Sequence, residues 1–247
     1  MLNHCKRALF GLPCIRLRRG ILSWTLALPL VVVNSVSVAA EPATRITTEA
    51  TRAQRLLAAA RQMVGDFKVT RYSHKTLIDR TRGICEVDCS GFIVALLRQT
   101  SRAHLCQIAT THKRPLAEDF YQAFAPANGE TPRGWAPIMR LPDVEPGDLI
   151  AWIQRDHEPG DNTGHVVLVE EKPTAESPNQ FRVRVLDSTA HGHGYDSRPE
   201  GKSGIGRGTL WLDADADGRP IGFRWKSKSG RLHEIPIAIG RAVELGK

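Results

Sequence analysis

The apolar positions of the chain change rhythm a little past its middle. Over residues 49–64, Leu56, Leu57, Ala60, Met63 and Val64 fall on one face at helical spacing, which predicts an amphipathic helix capped by Thr48 and ended by Gly65. A loop carrying Tyr72 and His74 leads to Cys85. A second helix opens abruptly at Asp88-Cys89-Ser90, with Asp88 as N-cap and Phe92, Ile93, Leu96 and Leu97 as its apolar stripe. Residues 103–141 are punctuated by Pro115, Pro126, Asn128-Gly129, Pro132 and Pro137, so an irregular segment is expected, with one short helix near 116–124. Beyond the turn Glu145-Pro146-Gly147-Asp148 the pattern becomes that of strands, at 149–153, 165–170, 181–186, 209–212, 221–225 and 235–239. Asp217-Gly218 marks a hairpin between the fourth and fifth of these. Helices first and an antiparallel sheet second predict an α+β fold.

The amino-terminal forty residues follow neither rhythm. Lys6, Arg7, Arg16, Arg18 and Arg19 precede an apolar run over 21–33 and the small residues Val38-Ala39-Ala40, the pattern of a secretory signal peptide cleaved after Ala40. The run contains Pro29 and falls short of the ~20 apolar residues a spanning helix needs, so stable membrane insertion is not expected. The reading is thus a leader over 1–40, an N-terminal helical segment over 41–66, and a domain with a C-terminal β extension over 67–247, periplasmic or secreted. Five of the 34 Lys and Arg residues and none of the 26 Asp and Glu residues precede Glu41, so the net charge without the leader is +3 rather than +8. With no stripe of basic residues and interleaved aromatics, a nucleic-acid partner is not expected.

Cysteines narrow the chemistry. Cys5 and Cys14 leave with the leader; Cys85, Cys89 and Cys106 stay. An odd number of thiols in an oxidising compartment suggests one pair and one free thiol, and a Cys85–Cys106 pair leaves Cys89 free. Three inert buried thiols are the alternative. Cys89 would occupy the first position of its helix, where the dipole and unused N–H groups favour a thiolate and an oxyanion. His165 opens a strand, and strand ends suggest an antiparallel register in which paired numbers sum to about 352. That register sets Asp187 opposite His165, where a carboxylate orients the imidazole.

Asp88-Cys89-Ser90-Gly91-Phe92, Pro146-Gly147-Asp148-Leu149-Ile150 and Gly164-His165-Val166-Val167-Leu168-Val169, in this order and spacing, resemble the NlpC/P60 superfamily of papain-like cysteine peptidases. The resemblance spans roughly residues 72–189. It implies a helix carrying the nucleophile Cys89 packed on an antiparallel sheet carrying the base His165. It also implies action on peptide or amide bonds, commonly in cell-wall peptidoglycan, without a cofactor. Tyr72 matches the tyrosine such domains carry upstream of the cysteine, and Ser90 and Asp88 flank the nucleophile. The third position is usually His, Asn or Gln; here Asp187 fills it. Residues 102–141 are enlarged, and nothing from Gly192 onward has a counterpart. An acyltransferase or amidase acting on a non-wall substrate, or a non-catalytic wall-binding domain of the same fold, are the competing readings.

Three further features are weighed against this site. His191-Gly192-His193 with Asp187 or Asp196 is a thin ligand set, so no metal is expected, although either histidine can line the cleft. Asp213, Asp215, Asp217 and Gly218 imitate a calcium loop, but its twelfth position is Arg224 and its flanks read as strands, which favours a hairpin turn. Trp135, Trp152, Trp211 and Trp225 share no spacing and are expected to pack in the core or cleft.

Overall fold

The computed structural model describes residues 50–125, 129–154 and 163–245. The leader, its cleavage point and the cap expected at Thr48 lie outside them. Helix α1 (Arg52–Asp66) is capped by Thr51, whose hydroxyl accepts the Gln54 N–H at 3.2 Å while the Gln54 side chain accepts the Thr51 N–H at 2.9 Å. This reciprocal box fixes the start of the helix three residues later than expected. The helix runs through Gly65 and yields at Phe67, whose extended backbone carries its ring into the core.

The expected loop before Cys85 is itself ordered. Strands β1 (Val69–Tyr72), β2 (Leu77–Asp79) and β3 (Ile84–Val87) form a three-stranded mixed sheet in the order β1-β3-β2, with β1 parallel to β3. Strand β3 runs through Asp88 directly into α2 (Cys89–Thr100). The irregular segment holds α3 (Arg102–Cys106), α4 (Ala117–Phe124) and the short strand β4 (Trp135–Pro137).

The remaining strands are β5 (Leu149–Ile153), β6 (Gly164–Val169), β7 (Thr174–Ser177), β8 (Gln180–Thr189), β9 (Gly204–Ala214), β10 (Pro220–Arg224) and β11 (Ile237–Ala242). With β4 they make an eight-stranded antiparallel sheet ordered β10-β9-β8-β6-β5-β11-β4, with β7 added on β8. The architecture is therefore α+β, with one mixed and one antiparallel sheet. The extension beyond residue 192 is built into the same sheet as His165, and β11 lies between β5 and β4.

Both faces of the central strands are covered, which explains why residues 164–169 read as an unbroken apolar run rather than an alternation. Leu149, Ala151, Val166, Leu168 and Leu186 pack against Leu56, Met63, Phe92 and Ile93 of α1 and α2. Ile150, Trp152, Val167, Val185, Leu212 and Phe223 form a second cluster on the opposite face. Two glycines hold the strands that carry the site. Gly147 has φ +96°, and a side chain there would meet the Ala53 carbonyl at 2.4 Å; Gly164 has φ +139°, and a side chain would meet the Trp152 carbonyl at 2.0 Å. The calcium-like segment is a hairpin turn: Asp215 Oδ1 accepts the N–H groups of Asp217 and Arg219 at 3.0 and 2.8 Å, and Asp213 is paired to Arg224 at 2.6 Å.

Candidate active site

Asp88 is the joint on which the site is hung. Its Oδ1 accepts the Gly91 N–H at 2.7 Å and its carbonyl accepts that of Phe92 at 3.0 Å, which starts α2 at Cys89 as expected. The amides of Cys89 and Ser90 precede the first intrahelical bond and so have no acceptor within the helix. Cys89 is buried at the first turn, near enough to the His165 ring for its charge to act on it.

The register differs from the one expected. Leu168 pairs with Leu186 and Val169 with Val185, so paired numbers sum to 354, and Asp187 sits two residues along from the position facing His165. A shift of two preserves the face, whereas a shift of one would have reversed it. His165 and Asp187 therefore still meet diagonally, with Nε2 at 2.6 Å from Oδ2. Since a carboxylate oxygen accepts only, Nε2 carries the proton and Nδ1 is the nitrogen left for the thiol.

Asp187 is fully buried and has more partners than a triad requires. The same Oδ2 lies 2.8 Å from Nε2 of His193, and Arg198 Nη2 donates to Oδ1 at 2.6 Å and to the Asp187 carbonyl at 2.7 Å. Arg198 is held in turn by Asp196 at 2.8 Å, which also accepts the His193 N–H at 2.7 Å. Burial works to raise the Asp187 pKa, but His193, Arg198 and the two imidazole hydrogen bonds outweigh it and hold the carboxyl well below its usual range. For His165 burial disfavours the cation, yet the charge on Cys89 and the bond to Asp187 prevail and push it up to about 10. The surroundings thus favour the cationic form of His165.

Around Cys89, Arg114 donates to the Ser90 hydroxyl at 2.6 Å and also pairs with Asp88. The Ser90 hydroxyl is therefore committed to bracing the helix start, and only its backbone amide is available for an oxyanion. Tyr72 pairs across the sheet with Val87, two residues before Cys89, and lines a cavity of about 570 Å³ together with His165. Burial, then the charges of Cys89 and Asp88, push its phenol above the usual range.

The expected cystine is absent. Cys85 is buried in β3, Cys106 is exposed at the end of α3, and both are free like Cys89. Cys85 faces the core because Ile84 and Glu86 take the other face of its strand, and burial pushes its thiol up to about 11, which leaves it inert.

Among the described residues, His165, Asp187 and His193 are the group whose ligand atoms come together, all within 4.8 Å. Those atoms already bond one another, and Arg198 sets a guanidinium on the same carboxylate, so the arrangement fits a proton-holding network better than a cation. His191 lines the cavity and Asp196 serves Arg198, so the His191-Gly192-His193 set is not assembled around one point.

The chain is 34% identical over 178 residues to a protein of Acanthamoeba polyphaga mimivirus titled "Uncharacterized protein R653", an alignment that covers 62% of this chain and 76% of the viral one. The chain belongs to the R653 family. No described family pattern and no solved structure matches it.

In this R653-family chain, His193, Arg198 and Arg114 are the site residues that sequence reasoning missed. His193 was legible only as a residue that can line the cleft. It is in fact sealed, with a side chain of zero exposure and an Nδ1 that has no hydrogen-bond partner among the described residues. Arg114 and Arg198 are single arginines in segments without period, and no spacing marked them.

Proposed function

We propose that the protein is an exported cysteine hydrolase of the papain-like NlpC/P60 type, acting on peptide or amide bonds in cell-wall peptidoglycan. The observation that carries this reading is the buried line Cys89–His165–Asp187, a thiol at a helix N-terminus whose charge acts on an imidazole, itself resting by Nε2 on a carboxylate. Export rests on the basic, apolar and small-residue order of residues 1–40. Among the described residues no helix is long and apolar enough to cross a membrane.

The thiolate of Cys89 adds to the amide carbonyl, and the oxyanion is met by the unused N–H groups of Cys89 and Ser90. The imidazolium of His165 passes its Nδ1 proton to the leaving amine as the C–N bond breaks, leaving an acyl-enzyme and a neutral imidazole. Neutral His165 then takes a proton from water, whose oxygen attacks the thioester; collapse releases the acid and restores the ion pair. Asp187 stays ionised throughout and holds the ring by Nε2. A non-catalytic wall-binding domain has no use for this line, nor for the two further side chains that secure its carboxylate.

Digestion of purified peptidoglycan by wild type and Cys89→Ala, read by mass spectrometry, tests the proposal. New amine and carboxyl ends from wild type alone support it. Identical, unchanged products from both proteins on several wall types overturn the substrate assignment.

A further inference from the structure

The segment beyond Gly192 has no counterpart in the NlpC/P60 resemblance, yet it supplies one wall of the cavity that holds His165. The wall is a graded stack of rings. The His165 ring lies 5.1 Å from Trp152, Trp152 lies 4.5 Å from Phe223, and Phe223 is stacked on His233 at 5.0 Å with only 15° between planes. Trp225 closes the corner, edge-on to His165 at 5.5 Å.

The stack is held before any ligand arrives. Trp152 sits on β5 beside His165, its cross-strand partner on β6. Phe223 and His233 exchange backbone hydrogen bonds at 3.1 and 2.8 Å, and the Trp225 indole N–H is fixed on the Gly192 carbonyl at 3.1 Å. Such a surface loses little entropy on binding.

The chemistry of the lining selects among occupants. The volume of about 570 Å³ is in the range of small-ligand pockets, and among the described residues no carboxylate lines it to receive an ammonium group. Among the described residues no arginine or lysine lines it to receive a carboxylate. What the wall offers is ring surface, which rewards burial of apolar area and ring-to-ring packing. Sugar recognition by ring stacking ordinarily needs acidic or amide groups to fix hydroxyls, and among the described residues the lining supplies a single amide, Gln154.

We infer that this wall is a subsite for an uncharged apolar group, aromatic or branched aliphatic, borne on the acyl side of the scissile amide. The inference rests on the hydrolase reading above and narrows its substrate class. The C-terminal hairpin is then the specificity element of the protein, and Phe223, Trp225 and His233 are its contact residues.

The test uses the full chain and three acyloxymethyl ketones that differ only in the side group beside the ketone: benzyl, carboxyethyl or aminobutyl. Each alkylates a thiolate through loss of its carboxylate, and labelling of Cys89 is followed by mass spectrometry. The benzyl probe is expected to react about ten-fold faster or more than either charged probe. His233→Ala, at an exposed ring whose loss removes no core volume, lowers that ratio, and Phe223→Ala lowers it further, whereas Phe223→Tyr keeps it. Equal rates for the three probes, or preference for a charged one, overturn the inference while leaving Cys89 an active nucleophile. A Cys89 that reacts with none of them, and with iodoacetamide no faster than Cys106, removes the hydrolase reading and this inference with it.

Discussion

Two of the carboxylates buried at the antiparallel sheet have surroundings that differ in kind. Among the described residues, Glu170, next to the end of β6, is met only by guanidinium groups: Arg207 at 2.9 Å, Arg61 at 3.4 Å and Arg184 at 3.8 Å. Asp187, on β8, is met by one guanidinium and by two imidazoles on a single oxygen. Both satisfy the requirement that a buried charge be paired. Guanidinium groups cannot give up a proton in water, so Glu170 can only hold α1, β8 and β9 together. Imidazoles can, so Asp187 is connected to a group that changes charge. Burial of an acid does not mark a site; the titratable partner does.

The largest expected effect separates the two directly. Asp187→Ala should lower hydrolysis by about 10⁴-fold, because His165 loses both its tautomer and its orientation. Glu170→Gln should cost about 1 kcal/mol of stability, because the guanidiniums that lose their counter-charge reach solvent, yet keep the rate per folded molecule within about two-fold. Steady-state hydrolysis and urea midpoints measured on both variants decide the matter. If Glu170→Gln loses activity as Asp187→Ala does, the distinction drawn here is wrong.

A pH series sharpens it. The His165 pKa is raised on folding from 6.5 to about 10, so its contribution to stability is fully present below pH 6.5 and is lost as pH rises through about 10. The Asp187 pKa is lowered, so its contribution is present above 3.8 and is lost as pH falls below that value. Urea midpoints should therefore decline on both sides. The alkaline decline should shrink in Cys89→Ala, which removes the main attraction that raises His165. An alkaline limb identical in the two proteins would show that Cys89 and His165 are not coupled.

His193 offers a smaller effect. It touches no reacting atom and acts through Asp187, so His193→Phe should lower kcat about ten-fold with little change in KM, the size of one lost hydrogen bond to a charged group. It should also shift the pH–rate profile, and His193→Gln, which retains an N–H donor, should recover most of both. The smallest effect belongs to the Glu170 side: Arg184→Ala, at 3.8 Å and partly exposed, should change stability by no more than about 0.5 kcal/mol.

Much of this was legible in the sequence, for identifiable reasons. The start of α2 could be read because Asp88 and the stripe from Phe92 to Leu97 carry cap and period together. The strands from Leu149 onward could be read because apolar runs there are bounded by turn residues. The site survived an error in register because the offset was even, and parity, not exact pairing, decides which face a strand residue takes. The three short strands around Tyr72 could not be read, since they are polar, half-exposed and only three or four residues long. Cysteine counting misled because it takes parity for proximity, and Cys85 and Cys106 lie on opposite sides of the burial boundary. Arg198 and His193 sit in a loop, where position follows from tertiary contacts that no local pattern records.

The placement of β11 has a bearing on how the protein comes together in time. Strand β11 pairs with β5 on one side and β4 on the other, and Arg241 joins the buried Asp148 across 93 positions of sequence. Until that segment is present, β5 keeps one row of backbone groups unpaired, and β5 is the strand on which His165 is aligned. Closure of the sheet is thus a non-local event that must await residues 237–242, and chains lacking them present an open edge to one another.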